Sequence, residues 1–278
     1  MIAAGLIATA MLSAIKQLSG ELHPFEIGFF RCLVGLIVLW PMIWRDGGLE
    51  VLRTNRIGLH VLRGALNAGG MLAFFWAVSL APLATVSAIA FTAPLFATLL
   101  AILILREKVG LRRWSGLAIG FLGTILILRP GSEIVDFGAL LALGSSVAWA
   151  GAMIMIKQLT DTESPLSITA WAAFFVGVFS LIPAIFVWQW PHGEQWLLLG
   201  LIGVLGSATQ YCFTKAFSMA DTTVVLPFDF LKLVWASLFG FVLFAEIPDL
   251  WTWFGGTVIF TSAIYIAYRE RLKADIRR

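Results

Sequence analysis

Residues 83–105 read LATVSAIAFTAPLFATLLAILIL, 23 consecutive positions without a charged side chain. A hydrocarbon core about 30 Å thick takes roughly 20 mostly apolar residues of helix to cross, so this stretch is long enough to span a bilayer. From Leu95 to Leu105 the apolar residues do not alternate with polar ones. Barrel strands in membranes are segments of about 10 residues that do alternate, and lipid tolerates only helices or closed barrels. The stretch is therefore a helix.

The rest of the chain repeats that reading. Of its 278 residues 60% are apolar and 13% charged, with a mean hydropathy of +0.92. Soluble domains carry about one quarter charged residues, so a water-soluble fold is excluded. Short polar joints divide the chain into ten expected spans, at 1–18, 26–44, 59–79, 83–105, 112–128, 136–158, 167–188, 195–217, 223–244 and 250–268. Span one begins without a charged leader, so no cleaved signal peptide is expected, and whether the native start lies upstream of Met1 stays open.

Basic residues mark the cytoplasmic side of a membrane protein. Fifteen of the 19 Lys and Arg residues fall on one side, in the joints after spans two and four, in the C-terminal tail, and at Lys157 and Lys215. Lys16, Arg31 and Arg129 lie toward the other side and Lys232 within a span, so both termini are expected in the cytoplasm. The net charge of +3 follows from this asymmetry and gives no reason to expect a nucleic-acid partner.

The chain also repeats itself. At a constant offset of 139, residues 77–128 fall on 216–267 and match Ala77 with Ala216, Ala81 with Ala220, Phe91 with Phe230, Glu107 with Glu246, Trp114 with Trp253, and Gly116 with Gly255. At an offset of 141, Ile15-Lys16-Gln17-Leu18 recurs as Ile156-Lys157-Gln158-Leu159, and Pro24 falls on Pro165. The expected domains are residues 1–130 and 131–278, two repeats of five helices each. Because five is odd, the second copy enters the membrane from the opposite face. The fold expected is an all-α integral membrane protein of ten transmembrane helices in two inverted five-helix repeats, an arrangement many secondary transporters use.

The doubled Glu-x6-Trp-x-Gly element at Glu107 and Glu246, Pro24 followed by Arg31 at the start of span two, and the joint Ala81-Pro82-Leu83-Ala84 resemble the EamA-type drug/metabolite transporters over essentially the whole chain. The resemblance implies an inner-membrane carrier with a central cavity lined by spans 1, 3, 4, 6, 8 and 9, and with spans 5 and 10 at the periphery. It leaves the substrate open, since members carry amino acids, nucleoside-type metabolites and vitamins. Span one of this chain has Ser13 and Ala14 before Lys16 and no acidic residue, so no carboxylate there can couple transport.

Ionisable groups inside a membrane cost roughly 2.5–3.5 kcal/mol on insertion scales and tend to face a cavity or a partner. Asp229 and Lys232, three residues apart behind Pro227, share one face of span nine, and the first repeat has Ala90 and Ala93 in their places. They suit an amphoteric substrate such as an amino acid; a self-neutralising structural pair is the alternative. Asn67, Gln210, Tyr211, Ser13 and Thr9 offer neutral hydrogen bonds to a ligand or, equally, between helices. Trp149, Phe91 and Trp235 can wall a pocket or simply pack. Arg31 is expected to reach back to the interface rather than hold an anion. Glu107 and Glu246, present in both repeats, are expected to organise loops, and Gly116-x-x-x-Gly120 alone does not establish a dimer, leaving a monomer or weak homodimer.

His23, His60 and His192 are expected in joints, Cys32 and Cys212 within spans, and no zinc motif or phosphate-binding loop is present, so neither an enzyme nor a cofactor is expected. Export or exchange of amino-acid-like metabolites is the first reading. Uptake of a vitamin or nucleoside-like metabolite is the second, and a non-transporting membrane scaffold is the reading from another class.

Overall fold

The computed structural model describes residues 2–45, 48, 52–104, 111–128, 136–159, 163, 165–219 and 231–276. Among the described residues there is no strand and there are eleven helices: α1 Ile2–Leu18, α2 Pro24–Arg45, α3 Ile57–Leu80, α4 Leu83–Ala90, α5 Ala93–Ile104, α6 Leu111–Leu128, α7 Phe137–Leu159, α8 Pro165–Phe186, α9 Gln195–Met219, α10 Leu231–Phe244 and α11 Leu250–Ile276. Among the described residues four stretches are long and apolar enough to cross a membrane by length and composition, namely Ile57–Leu80, Leu83–Leu100, Phe137–Ile156 and Ser167–Phe186. Large apolar side chains stand exposed on the outward faces of the helices, among them Ile125, Ile182, Leu197, Leu201 and Phe241. An apolar surface on so many helices is matched by lipid rather than by water.

The stretch expected as one helix over 83–105 is broken in its middle. Pro94 has no N–H to donate to the Ala90 carbonyl, and the helix cannot run through it undisturbed. The chain tightens instead: the Phe91 amide donates to Ala88 O at 3.2 Å and the Thr92 amide to Ile89 O at 2.9 Å. The Thr92 hydroxyl also donates to Ile89 O at 2.7 Å, and Ser146 of α7 reaches the same carbonyl at 3.3 Å. Thr92 is fully buried, so the interruption lies inside protein, where its freed polar groups find partners.

Around this break the helices pack in pairs. α3 lies along α7 and touches α8, α1 lies along α9 and touches α10, α2 lies between α8 and α9, and α4 meets α7 and α10. α6 and α11 pack chiefly on each other at one side of the bundle. Their contact is made by small residues. A Cβ on Gly123 would stand 2.8 Å from the Gly255 carbonyl oxygen, and one on Gly120 would strike the Leu95 side chain and come within 2.9 Å of Ser262 Oγ. The Ser262 hydroxyl donates to the Gly116 carbonyl across the same seam. Gly116 and Gly120 thus serve a contact within the chain, where close backbones gain van der Waals contact that lipid cannot supply.

Inserting atoms into a closed seam typically costs about 1–3 kcal/mol. Gly123→Leu is expected to lower the melting temperature in detergent measurably, while Gly69→Leu, at an exposed position with open space around it, leaves it nearly unchanged. Equal melting temperatures for the two variants would show that the seam does not hold α6 and α11 together.

Candidate substrate site

The middle of α3 sets the geometry. Asn67, Gly70 and Phe74 recur at helical spacing and share one face. Trp149 of α7 lies against that face: its ring centroid is 5.0 Å from that of Phe74. A Cβ on Gly70 would meet Trp149 Cδ1 at 2.9 Å and Nε1 at 3.0 Å, so only glycine leaves room for the indole. Trp149 and Asn67 are both half-buried, and the Asn67 amide has no hydrogen-bond partner among the described residues. The result is an aromatic surface with an unspent amide one turn away. It can stack on a flat ring and exchange hydrogen bonds with its edge.

The other expected site residues lie elsewhere. The buried Ser13 hydroxyl donates to Thr9 O at 3.0 Å and Thr9 to Gly5 O at 2.9 Å, so both are satisfied within α1. Phe91, beside the α4–α5 break, packs against Phe260 of α11 at 5.7 Å and not against Trp149. Lys232, in the first turn of α10, runs along α1, where a Cβ on Gly5 would stand 3.3 Å from its Cγ. Trp235 borders the same glycine, with its indole Nε1 buried and unpartnered. Asp229, Glu107 and the side chains of Gln210 and Tyr211 lie outside the described residues.

Arg31 does not reach back to the interface. Its Nη1 lies 3.4 Å from Met71 Sδ and its Cζ 6.0 Å from the Phe75 ring, both on α3, while its Nε is buried beside Gly206 of α9. A Cβ on Gly206 would come within 2.9 Å of that nitrogen. The missing side chain at Gly206 lets the guanidinium lie inward, a feature no local sequence pattern of α2 reveals.

Charged groups tie the two ends of the bundle. At the end holding the close of α1, the Lys16 ammonium donates to Ala81 O at 2.7 Å, Glu246 Oε2 accepts from the Leu83 amide at 3.0 Å, and Lys16 and Glu246 form an ion pair. The cation meets the carbonyl end of α3 and the carboxylate caps the amide end of α4, each complementing a helix dipole. Glu246 is turned back by Ala245, which has φ +54°, and its amide bonds Gly240 O at 3.0 Å. An alanine in the left-handed region is uncommon, and the close of α10 holds it there.

At the opposite end, His60 is in the first turn of α3 and fully buried, not in a joint. Its Nε2 is 2.9 Å from Glu163 Oε2, and that carboxylate also accepts from Thr54 and from Ser167 at 3.2 Å. Arg63 donates to Ile168 O at 2.7 Å and Arg56 to Gln158 O at 2.9 Å, so the joint before α3 is fastened to α7 and α8. Burial alone would raise the Glu163 carboxyl, but the hydrogen bonds from Thr54, His60 and Ser167 and the charge of His60 outweigh it and hold the pKa below the usual carboxylate range.

This is the build of a helical, multi-pass membrane protein with apolar outward faces and hydroxyls buried between its helices. A family model described as the EamA-like transporter family matches residues 1–129 and again residues 136–268. The chain is 33% identical over 256 residues to an S-adenosylmethionine uptake transporter of Rickettsia felis, covering 92% of this chain and 87% of that protein. It is 32% identical over 283 residues to a riboflavin transporter of Vibrio cholerae, covering 100% and 95%. A pseudopaline exporter of Pseudomonas aeruginosa is 28% identical over 268 residues, covering 95% and 93%. A crystal structure matches with a TM-score of 0.64 at 20% identity over 96% of both chains, which shows the fold alone. The chain belongs to the EamA-like transporter family: it is a membrane transporter of small molecules, and the relatives it matches are named as transporters rather than enzymes.

A carboxyl whose folded pKa is depressed stabilises the fold above its unfolded value, near 4.3, and loses that contribution as pH falls through the folded value. Glu163→Gln is therefore expected to lower the melting temperature by about 3–6 °C at pH 7, from roughly 1–2 kcal/mol of lost hydrogen bonding. The gap to the parent protein should close as the pH drops below about 4. A gap independent of pH, read by thermal unfolding, would contradict the role given to this carboxylate.

Proposed function

We propose that this protein is a secondary carrier of the bacterial inner membrane that takes up a ring-bearing metabolite of the vitamin or nucleoside type by alternating access. The observation that carries this reading is the seat of Trp149 in the notch left by Gly70, with the unspent Asn67 amide on the same face of α3. A flat nitrogen heterocycle meets such a seat with its face on the indole and its edge on the amide. S-adenosylmethionine and riboflavin, the compounds named for two relatives that align over most of this chain, both contain one. The amino-acid export expected from Asp229 and Lys232 is the second reading; the exporter among the relatives keeps it in view.

The transport cycle proposed has ten spans, with α4 and α5 forming one, in two inverted halves and with both termini in the cytoplasm. Support comes from the packing, which keeps its pattern when the halves are exchanged: α3 on α7 mirrors α9 on α1, α3 on α8 mirrors α9 on α2, and α2–α8 and α6–α11 map onto themselves. The family model also matches each half separately. Lys16 and Glu246 then close the periplasmic end, and the repeat carries Lys157 and Glu107 at the corresponding places in the other half. Bridging Lys16→Cys to Glu246→Cys with a short reversible thiol cross-linker is expected to stop transport, and reduction to restore it. Undiminished transport by the bridged protein would rule this end out as a gate.

Uptake of labelled S-adenosylmethionine and riboflavin into proteoliposomes tests the substrate. Accumulation of at least one is expected, with ring-free amino acids excluded. A lost stacking contact of about 1–1.5 kcal/mol should raise the apparent KM of Trp149→Ala by about tenfold. Transport of ring-free amino acids, with Trp149→Ala as active as the parent protein, would overturn the reading.

A further inference from the structure

Arg31 is half-buried, and its guanidinium lies in neutral surroundings. Its neighbours are the Met71 thioether, the Phe75 ring face and the Cys32 thiol, and among the described residues no carboxylate lies within ion-pair distance. Its Nε is fully enclosed and makes no hydrogen bond. One turn along α9 from Gly206, the Thr209 hydroxyl is also buried without a partner. Arg31 stands seven residues into α2, roughly 10 Å from that end at 1.5 Å per residue, and Met71 stands nine residues from the corresponding end of α3, roughly 13 Å. The contacts hold the side chain against α3 and α9 inside the bundle, and a lone charge within a membrane span costs roughly 2.5–3.5 kcal/mol on insertion scales.

Two further observations bear on what meets that cost. At the offset of 141 that superposes Lys16 on Lys157 and Pro24 on Pro165, Arg31 falls on Ala172. The two-half scaffold is thus built without a cation at that place in its second copy. Arg31 also touches α3 at Met71 and Phe75, each one residue on from Gly70 and Phe74, which hold Trp149. A rise of about 1.5 Å and a rotation of about 100° around α3 therefore separate the contacts of the guanidinium from those of the indole, which lie at nearly the same depth.

We infer that Arg31 is an anion subsite of the carrier, taking a carboxylate of the transported metabolite while its ring lies on Trp149. The inference rests on the ring-binding reading above and narrows it to ring compounds that carry an acid. Guanidinium and carboxylate pair through two parallel N–H···O bonds, with the buried Nε supplying one donor and an Nη the other. The Thr209 hydroxyl offers a third donor, one turn along α9. The same donors would take a small inorganic anion carried with the solute, and the test separates the two sources.

The test compares S-adenosylmethionine with its decarboxylated analogue, and tryptophan with tryptamine, in purified protein by thermal shift and in proteoliposomes by uptake. The parent protein is expected to favour the acid of at least one pair by tenfold or more. Arg31→Gln should erase that preference by weakening the acid alone, and Arg31→Lys should restore part of it. Unliganded melting temperatures of the two variants report their folding, and Arg31→Met serves if Arg31→Gln does not fold. The inference is overturned if neither acid shifts the melting temperature of the parent, or if the preference survives Arg31→Gln. It is also overturned if replacing chloride by gluconate slows the parent and not Arg31→Gln with no acid preference in either, the pattern of an inorganic anion. Failure of the ring reading looks different: Trp149→Ala would then leave both members of each pair untouched while the acid preference at Arg31 stands.

Discussion

No water reaches the middle of a bilayer to satisfy an amide, a carbonyl or a charge, and the architecture follows from that constraint. Helices satisfy their own backbones, so the outward faces can be left to apolar side chains such as Ile182 and Leu201. Several hydroxyls buried inside spend their protons on the preceding turn, as Ser180 does on Val176 and Ser237 on Leu233. Where Pro94 breaks the helix, Thr92 and Ser146 converge on the Ile89 carbonyl. Among the described residues the buried side-chain atoms left without a partner include Arg31 Nε, Thr209 Oγ1 and Trp235 Nε1, and the half-buried Asn67 amide is likewise unspent.

Glycine decides where helices come close enough for this to work. Gly123 and Gly255 bring α6 and α11 to backbone contact, Gly70 admits an indole, Gly206 admits a guanidinium, and Gly240 leaves room for the Glu246 carboxylate. The first is a scaffold contact, and the others each make space for one functional or charged side chain. The same small residue therefore has two uses, and the neighbour it faces tells them apart.

Much of the helical frame was legible in the sequence because hydropathy reports the lipid directly. The span expected at 59–79 is a helix at Ile57–Leu80, and that expected at 136–158 is one at Phe137–Leu159. The departures have local causes. α11 continues to Ile276 because Arg269-Glu270-Arg271-Leu272-Lys273-Ala274 are good helix formers, whereas hydropathy marks only the apolar part. The α4–α5 break was hidden because Pro94 sits among residues as apolar as its neighbours. The site was less legible. Asn67 and Trp149 could be named as polar and aromatic, but their meeting depends on Gly70 in a helix 79 residues away from Trp149. The buried pair of His60 and Glu163 joins residues 103 positions apart, and no periodicity carries that information.

The duplication offers a way to sort charges by purpose. In the inverted arrangement proposed above, a charge that both halves carry, such as Glu246 with Glu107 or Lys16 with Lys157, stands once on each side of the membrane. Where it is described, this kind of charge sits at helix ends: Lys16 and Glu246 meet a carbonyl and an amide left over by α3 and α4. A charge that only one half carries cannot be a requirement of the repeated scaffold, because the other half folds with alanine in its place. Arg31 opposite Ala172, and Lys232 opposite Ala93, are of this second kind, and both side chains run along a neighbouring helix where a glycine clears the way. Removing the charge that both copies share loosens an end of the bundle. A single-copy charge at a helix end, such as Glu163 opposite Leu22, fastens that end, whereas the single-copy Arg31 within the membrane is the one proposed to receive a solute.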